Sequence, residues 1–302
     1  MNIIKYFPPQ TLFGLTLVIM INPVAAEIVS RTVDLDDVER IRLEGSHKLV
    51  LTQGDEEYVK VTGSRKLLPK ISAEVRGDTL ILKTARSNWG LFDFDSQGRF
   101  DVQLKSIRSV SLEGSGETFI GDLQVEDLMI KRKGSGVLEI GDIQAEDIKF
   151  DISGSGDVST GSIHGNELKL YVSGSADTNF GTVKIEDDTD ISISGSGGVQ
   201  VRELYGDRLE IDIAGSGDVK IKGEGKVNYV EIDVAGSGQF QAADMVSDEA
   251  SVEIAGSGDV ILNVVDKLSI DVMGSADVSY YGDPKVDSDI AGSGDVRQLS
   301  SH

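Results

Sequence analysis

Cysteine is absent from the sequence, and tryptophan, histidine and basic residues are scarce. Without cysteine the chain has no disulfide, no thiolate metal ligand and no site for lipoprotein acylation, so packing and backbone hydrogen bonds must stabilise it. Acidic residues outnumber basic residues by 51 to 29, and the net charge is −22. Because this charge repels nucleic acid and anionic membrane surfaces, we expect neither as a partner.

The first 26 residues have the pattern of a secretory signal peptide. Lys5 precedes an apolar run from Leu12 to Ile21, and the small residues Val24-Ala25-Ala26 follow it. The run is shorter than the ~20 apolar residues that a membrane span needs, so we expect cleavage before Glu27 rather than retention as an anchor. No transmembrane segment is expected in the mature chain, and export to the periplasm or the cell surface is predicted.

Glycine is abundant, and much of it recurs in one tripeptide. Gly-Ser-Gly or Gly-Ser-Ala occurs ten times, at steps of 20, 20, 20, 21, 20, 21, 20, 18 and 18 residues. A near-constant period of this length indicates a repeat architecture. The copies begin at Gly114, Gly134, Gly154, Gly174, Gly195, Gly215, Gly236, Gly256, Gly274 and Gly292.

Apolar residues alternate with polar ones on both sides of each tripeptide. Val219 and Ile221 follow one copy, and Leu209 and Ile211 precede it. A third, shorter apolar pair lies between these two sets in each repeat. Period-two alternation indicates strands with one buried face, so each repeat holds up to three short strands. The extra or missing residues of longer and shorter repeats are expected in the middle turn, at residues 186–188, 223–225 and 263–266.

These observations predict an all-β fold, a parallel β-helix or solenoid of about ten coils of ~20 residues, preferably right-handed. A β-propeller or a sandwich of hairpins is the alternative, but propeller blades need ~40 residues. We assign residues 111–299 to the solenoid. Residues 27–110 alternate without the period, contain Gly45-Ser46 as a degenerate coil, and are predicted as a β-rich amino-terminal cap.

Gly154, Ser155, Gly156 and Asp157 represent the repeated motif. Two glycines around one residue indicate a sharp corner between strands. Serine recurs at the second position of every copy, which favours a ladder of hydroxyls inside the corner; strict alternation would instead point the serines outward. Aspartate is expected to cap the corner through its own backbone and to be solvated. The motif is therefore interpreted as structural.

Aspartate at the fourth position of three successive repeats suggests a second hypothesis. Asp259, Asp277 and Asp295 could form a track of oxygen ligands for a divalent cation such as calcium. Solvated turn caps are the simpler interpretation, and the known calcium-binding repeat has a nine-residue period that this chain lacks. We expect no cofactor.

Three stretches stand outside the repeat pattern. Trp89, Phe92 and Phe94 lie in a glycine-punctuated loop that could hold a ligand, although a hydrophobic plug over the end of the coils is favoured. Residues 280–284, with two tyrosines and a proline, are predicted as a terminal cap. The basic run 131–133 is interpreted as a solvated patch.

No arrangement typical of an enzyme stands out. The repeated serines lie outside any Gly-x-Ser-x-Gly elbow, and His47 or His164 could complete a catalytic triad only by chance. Carboxylate pairs of glycan-cleaving enzymes cannot be singled out in so acidic a chain. The sequence therefore predicts a protein without enzymatic activity.

The chain resembles a known family through its Gly-Ser-Gly-Asp-Val coils, the segment 281–286 that leads into 291–296, and its alternating amino-terminal region. It is similar to the putative auto-transporter adhesin, head GIN domain family of secreted bacterial envelope proteins, over about residues 34–297. The resemblance implies a β-helical repeat fold and an adhesive role, and it transfers no catalytic residue.

We therefore expect an exported, non-enzymatic envelope protein that binds through its long, repetitive faces. A glycan or another envelope or surface protein is the expected partner, with many weak contacts replacing a deep pocket. Two alternatives remain open: a glycan-active enzyme that uses carboxylates on one face, and a structural or stress-response component of the envelope.

Overall fold

A computed structural model describes residues 16–19, 28–84 and 98–300, the first of these ranges by its backbone only. The described residues form one sheet of 28 strands that winds around a single core. The amino-terminal elements are β1 (Thr16–Ile19), β2 (Ile28–Asp34), β3 (Arg40–Glu44), β4 (Lys48–Gln53), β5 (Tyr58–Ser64), a 3-10 helix (Leu68–Lys70), β6 (Ile71–Arg76), β7 (Thr79–Thr84) and β8 (Arg99–Leu104).

The first part of the repeat region has three short strands in each coil. They are β9 (Ser109–Gly114), β10 (Thr118–Ile120), β11 (Leu123–Gln124), β12 (Asp127–Gly134), β13 (Leu138–Ile140), β14 (Ile143–Gln144), β15 (Asp147–Gly154), β16 (Val158–Thr160), β17 (Ile163–Gly165) and β18 (Glu167–Gly174).

In the later coils, strands run on through some of the turns. They are β19 (Asp177–Ile185), β20 (Asp188–Gly195), β21 (Gly198–Gly215), β22 (Asp218–Ile221), β23 (Gly225–Gly236), β24 (Gln239–Gly256), β25 (Val260–Gly274), β26 (Val278–Tyr281), β27 (Lys285–Gly292) and β28 (Val296–Gln298).

Each coil has three faces, and equivalent strands of successive coils pair in parallel. The first face leads into the Gly-Ser corner, as β12, β15 and β18 do. The second face follows the corner, as β10, β13 and β16 do. The third face consists of short strands such as β11, β14 and β17. The predicted β-solenoid with three strands per repeat is therefore confirmed, and its handedness stays a prediction.

The core is a continuous apolar column along the axis of the stack. One inward position of the first face holds Ile152, Val172 and Ile193 in register in successive coils, each at most 2% exposed. Full burial of such a side chain contributes about 1.5–3 kcal/mol. No coil could bury its own apolar face, so the stack folds as a unit.

Length differences between coils are absorbed where the sequence predicts. Pairing shifts from 20 to 21 residues between Ile185 and Thr189, and again between Ile221 and Gly225. In the short coil the register of β24 against β25 slips between Gln241 and Glu249. The corner and the strands beside it keep one register throughout, because their glycines stack directly on the coil before.

The amino-terminal region contributes to the stack. Strands β3 and β4 pair in parallel with β9 and β10, and Gly45 N donates to Glu113 O at 2.8 Å, so Gly45 forms the corner of a coil. Strands β7 and β8 continue the stack in parallel, whereas β2, β5 and β6 pair antiparallel beyond them. Strand β1, within the predicted leader, pairs antiparallel with β2. The domain boundaries stay predictions.

The stretch 280–284 is not a terminal cap, contrary to the sequence-based expectation. Strand β27 follows it and pairs with β25 in unbroken register from Lys285 to Gly292, and β28 pairs with β26. Gly282, at a φ of +91°, turns the chain there, and a Cβ on it would lie 1.9 Å from Val264 O. The aromatic and proline residues therefore belong to a turn within the stack.

Candidate functional site

The serines of the Gly-Ser-Gly corners face solvent. All ten are exposed, whereas the glycine or alanine after each is buried in every copy except the last. The predicted inward ladder of hydroxyls is wrong, because the alternation of inward and outward positions continues through the corner. On the outer side of the corner, the hydroxyls of Ser46 and Ser115 share a hydrogen bond at 2.9 Å. The regular ladder is made by the backbone: each serine N–H donates to the corner glycine carbonyl of the coil before, at 2.8–3.2 Å from Ser135 to Ser293.

The aspartates after the corner are exposed, and two of them accept hydrogen bonds from the backbone of the next coil. Asp177 Oδ1 accepts a hydrogen bond from Gly198 N at 3.2 Å, and Asp277 Oδ1 accepts one from Asp295 N at 3.1 Å. These bonds join neighbouring coils, whereas the sequence-based interpretation had each aspartate capping its own turn. Asp157, Asp259 and the other exposed members lie at equivalent positions.

A second corner uses aspartate in the same way, and sequence reasoning did not single it out. Asp122 Oδ1 accepts a hydrogen bond from Asp142 N at 2.9 Å, and Asp142 Oδ1 accepts one from Ser162 N at 2.7 Å. The recurrence of Gly-Asp twenty residues apart, at Gly121 and Gly141, is the signal that could have identified it.

The geometry of the described residues gives no support to the hypothesis of a calcium track. Within residues 28–84 and 98–300, no group of three or more histidine, aspartate or glutamate side chains is placed to hold a metal ion. Asp259, Asp277 and Asp295 do follow one another in successive coils, but Asp277 uses one carboxylate oxygen to bind the backbone.

An open groove with carboxylates along it lies on the first face. Asp212, Asp233, Glu253 and Asp271 occupy equivalent positions in four coils, and we call them the acidic row. Beside it, outward side chains of Ala214, Ala235, Ala255 and Met273 make an apolar strip. The acidic row was hidden in the sequence because its members look like the ordinary polar half of an alternating strand.

Ionisation of Asp233, one member of the acidic row, opposes folding. Partial burial raises the pKa of Asp233, and the negative charges of Glu253 and Asp212 raise it further. The pKa of Asp190, on the same face, is raised by burial and then by Glu210. Raised carboxylate pKa values mean that stability falls as the pH increases from the unfolded range near 4 through the folded pKa.

The third face carries a different set of outward side chains. Gln124, Gln144, His164, Lys184 and Tyr205 are paired in register, one from each of five successive coils, and we call them the third-face row. Two open grooves run along its two sides and share three of these side chains. The row places amide, imidazole, ammonium and phenol groups in a line along the axis.

His47 is a buried structural residue. It is 5% exposed, and its ring packs edge-on against Phe100 with ring centroids 5.6 Å apart. Gly98 N donates to Nδ1 at 3.1 Å, which leaves the proton on Nε2 to be donated to Thr84 Oγ1 at 2.5 Å. Burial lowers the pKa of the ring. His47 therefore ties the end of β7 to the start of β8.

Because a protonated His47 cannot accept from Gly98 N, acid should destabilise the fold through this residue. A lowered folded pKa means that its contribution is complete above the unfolded value near 6.5 and is lost as the pH falls through the folded pKa. We expect the urea midpoint to drop over that range. His47→Gln should remove this step. At pH 8 it should lower the free energy of unfolding by about 1 kcal/mol for each hydrogen bond lost, and the urea midpoint with it. An unchanged pH profile in the variant would contradict the role.

The remaining sequence-predicted sites have separate outcomes. Trp89, Phe92 and Phe94 lie outside the described residues, so the favoured plug over the coil end and the alternative binding role both stay predictions. The basic run is not a fully solvated patch: Lys131 and Lys133 are exposed, but Arg132 is 2% exposed and points into the core. No helix in the described part of the chain is long and apolar enough to cross a membrane.

Comparison with known proteins agrees with this architecture. A crystal structure of a putative adhesin from Parabacteroides merdae aligns over 90% of this chain and 96% of its own, with 17% identity and a TM-score of 0.55. A putative adhesin from Parabacteroides distasonis aligns over 91% and 98%, with 17% identity and a TM-score of 0.52. At these identities the likeness shows the fold alone. No curated protein matches the sequence significantly.

A family model matches most of the chain, over residues 37–224 and 170–284. These ranges hold β3 and β4, the corner glycines from Gly45 to Gly274 and both groove-bearing faces. The chain therefore belongs to the family described as "Putative auto-transporter adhesin, head GIN domain".

Proposed function

We propose that this protein is an exported, non-enzymatic adhesin that attaches through the long faces of its solenoid. The observation that carries the proposal is the register of outward side chains. Each coil places one such side chain in line with those of the coils before and after it. Coils are spaced by ~4.8 Å, so a partner can touch several at once. Many weak contacts then add up to strong attachment without an enclosed pocket.

Attachment can be tested with a glycosylated protein as the surface. Cells that produce the protein should bind immobilised mucin better than cells that lack the gene, and deglycosylation of the mucin should reduce that binding.

Protease treatment of intact cells tests surface display, because it should degrade a protein that is exposed on the cell surface. A protein confined to the periplasm, with no difference in attachment, would contradict an adhesive role, and co-purification with a membrane-fraction protein would then favour an envelope component.

A glycan-active enzyme remains the second candidate because of the acidic row. Asp233 has a raised pKa beside Asp212 and Glu253, a property shared with general acids. However, the row repeats without setting one pair apart, and Tyr171, an aromatic at the groove, lies three coils from Asp233. We therefore favour binding over catalysis. Release of reducing sugar from the mucin in the same assay would favour the enzyme.

A further inference from the structure

The third-face row has hydrogen-bonding groups that the protein itself does not use. The side chains of Gln124, Gln144 and His164 are exposed and have no hydrogen-bond partner among the described residues. Gln53, one coil before Gln124, shows the contrast: its amide donates to Lys105 O at 3.0 Å and Gln124 O at 2.9 Å, and accepts from Gln124 N at 2.8 Å. The row therefore begins one coil after a side-chain amide whose hydrogen bonds are already made within the protein.

The carboxyl-terminal member of the row, Tyr205, has an aromatic ring. Lys184 Nζ lies over one face of this ring at 5.7 Å from the centroid, and Lys226 follows Tyr205 in register in the next coil. The five members span about 19 Å at a strand spacing of ~4.8 Å. An extended ligand that lies along the axis could therefore contact several rungs at once and end against an aromatic ring.

The chemistry of the grooves selects among ligand classes. A primary amide both donates and accepts hydrogen bonds, as a sugar hydroxyl does, so the two are complementary. Asp122 and Asp142 line one groove, and Glu146 and Glu186 line the other. Together with Asp55, these carboxylates outnumber Lys105 and Lys184, the lysines that line the same grooves, so an anionic ligand is disfavoured.

We propose that the third-face row binds a neutral oligosaccharide that lies along the solenoid axis. Gln124, Gln144 and His164 exchange hydrogen bonds with successive sugar units, and the part of the Tyr205 ring that Lys184 does not cover packs against a sugar, as amphipathic aromatic rings do at binding sites. This inference rests on the proposed adhesive function and gives it a site and a ligand class.

Binding to immobilised oligomers of glucose, mannose and N-acetylglucosamine of increasing length tests the site. At least one neutral series should bind more tightly as its chain grows, because each added unit reaches a further coil. The double variant Gln144→Ala/His164→Ala should weaken this binding at least tenfold. Gln200→Ala, the same replacement on the second face, should leave it unchanged, and thermal melting should show that both variants fold.

Several results would overturn the proposal. They are no binding to any neutral series, equal binding by the double variant, and binding confined to sialylated oligosaccharides or to polylysine, which would point to a charged glycan or a protein partner.

The mucin assay separates the adhesive function from its assignment to the third-face row. If the double variant attaches as well as the parent protein does, the adhesive function stands and the third-face row is not its site. If the parent protein does not attach, the adhesive function fails, and the oligosaccharide result decides the row by itself.

Discussion

Gly256→Ala is expected to lower the stability of the solenoid by at least about 3 kcal/mol. Gly256 has a φ of +147°, and a Cβ there would lie 2.0 Å from Gly236 O in the coil before. The alanine would have to strain its own backbone and also push apart two coils whose corners are joined by the hydrogen bond from Ser257 N to Gly236 O. Urea unfolding followed by far-ultraviolet circular dichroism measures the loss.

Two control variants separate the causes of this effect. Gly77 has a φ of +61°, but a Cβ there would meet nothing within 4 Å, so Gly77→Ala should cost only the backbone strain of about 1–2 kcal/mol. Ser257→Ala removes an exposed side chain from the same corner and should change stability by less than about 0.5 kcal/mol. Equal losses for Gly256→Ala and Gly77→Ala would show that close approach of the coils does not matter.

Arg132→Met is expected to raise stability by about 1–4 kcal/mol. Arg132 stands at an inward position that Leu112 and Ile152 occupy in the adjacent coils. Its Nη1 donates to Gly114 O at 3.0 Å and to Lys133 O at 3.3 Å. However, Nε and Nη2 are buried without a hydrogen-bond partner, and burial lowers the pKa of the guanidinium. A methionine would fill the space without a charge to desolvate.

The comparison with Arg132→Ala makes this test specific. Alanine also removes the buried charge, but it leaves a cavity in the corner, so its stability should fall below that of Arg132→Met by about 2 kcal/mol or more. If methionine destabilised the protein as much as alanine does, the hydrogen bond to Gly114 O would be the dominant contribution of Arg132. The midpoints of thermal and urea unfolding give the order of the three proteins.

The two candidate faces differ in how far the sequence alone could reveal them. The period shows that outward residues twenty positions apart are neighbours, so Gln124, Gln144 and His164 could have been aligned from the sequence. What the sequence lacked was the contrast between used and unused side chains, because hydrogen bonding depends on neighbours in other coils. Gln53 and Gln124 look alike in sequence and differ only in their contacts.

Local spacing determined the architecture of this protein. A tripeptide that recurs every 18–21 residues between alternating strands leaves a parallel stack as the compact solution. The same spacing located the turn that absorbs length changes, since Glu186 and Gly223 lie where the register shifts. Both conclusions depend on residues that pair with their own equivalents one period away, and the sequence contains that information in full.

Tertiary structure alone decided the direction and surroundings of individual side chains. Ser155 points outward because the alternation passes through the glycine corner, and a strand pattern does not fix the backbone angles there. Arg132 is buried because the register of its coil outweighs its charge. His47 becomes a bridge only when β7 stacks on β3 and β8 stacks on β4. These outcomes depend on contacts between coils, whose energies a period in the sequence does not specify.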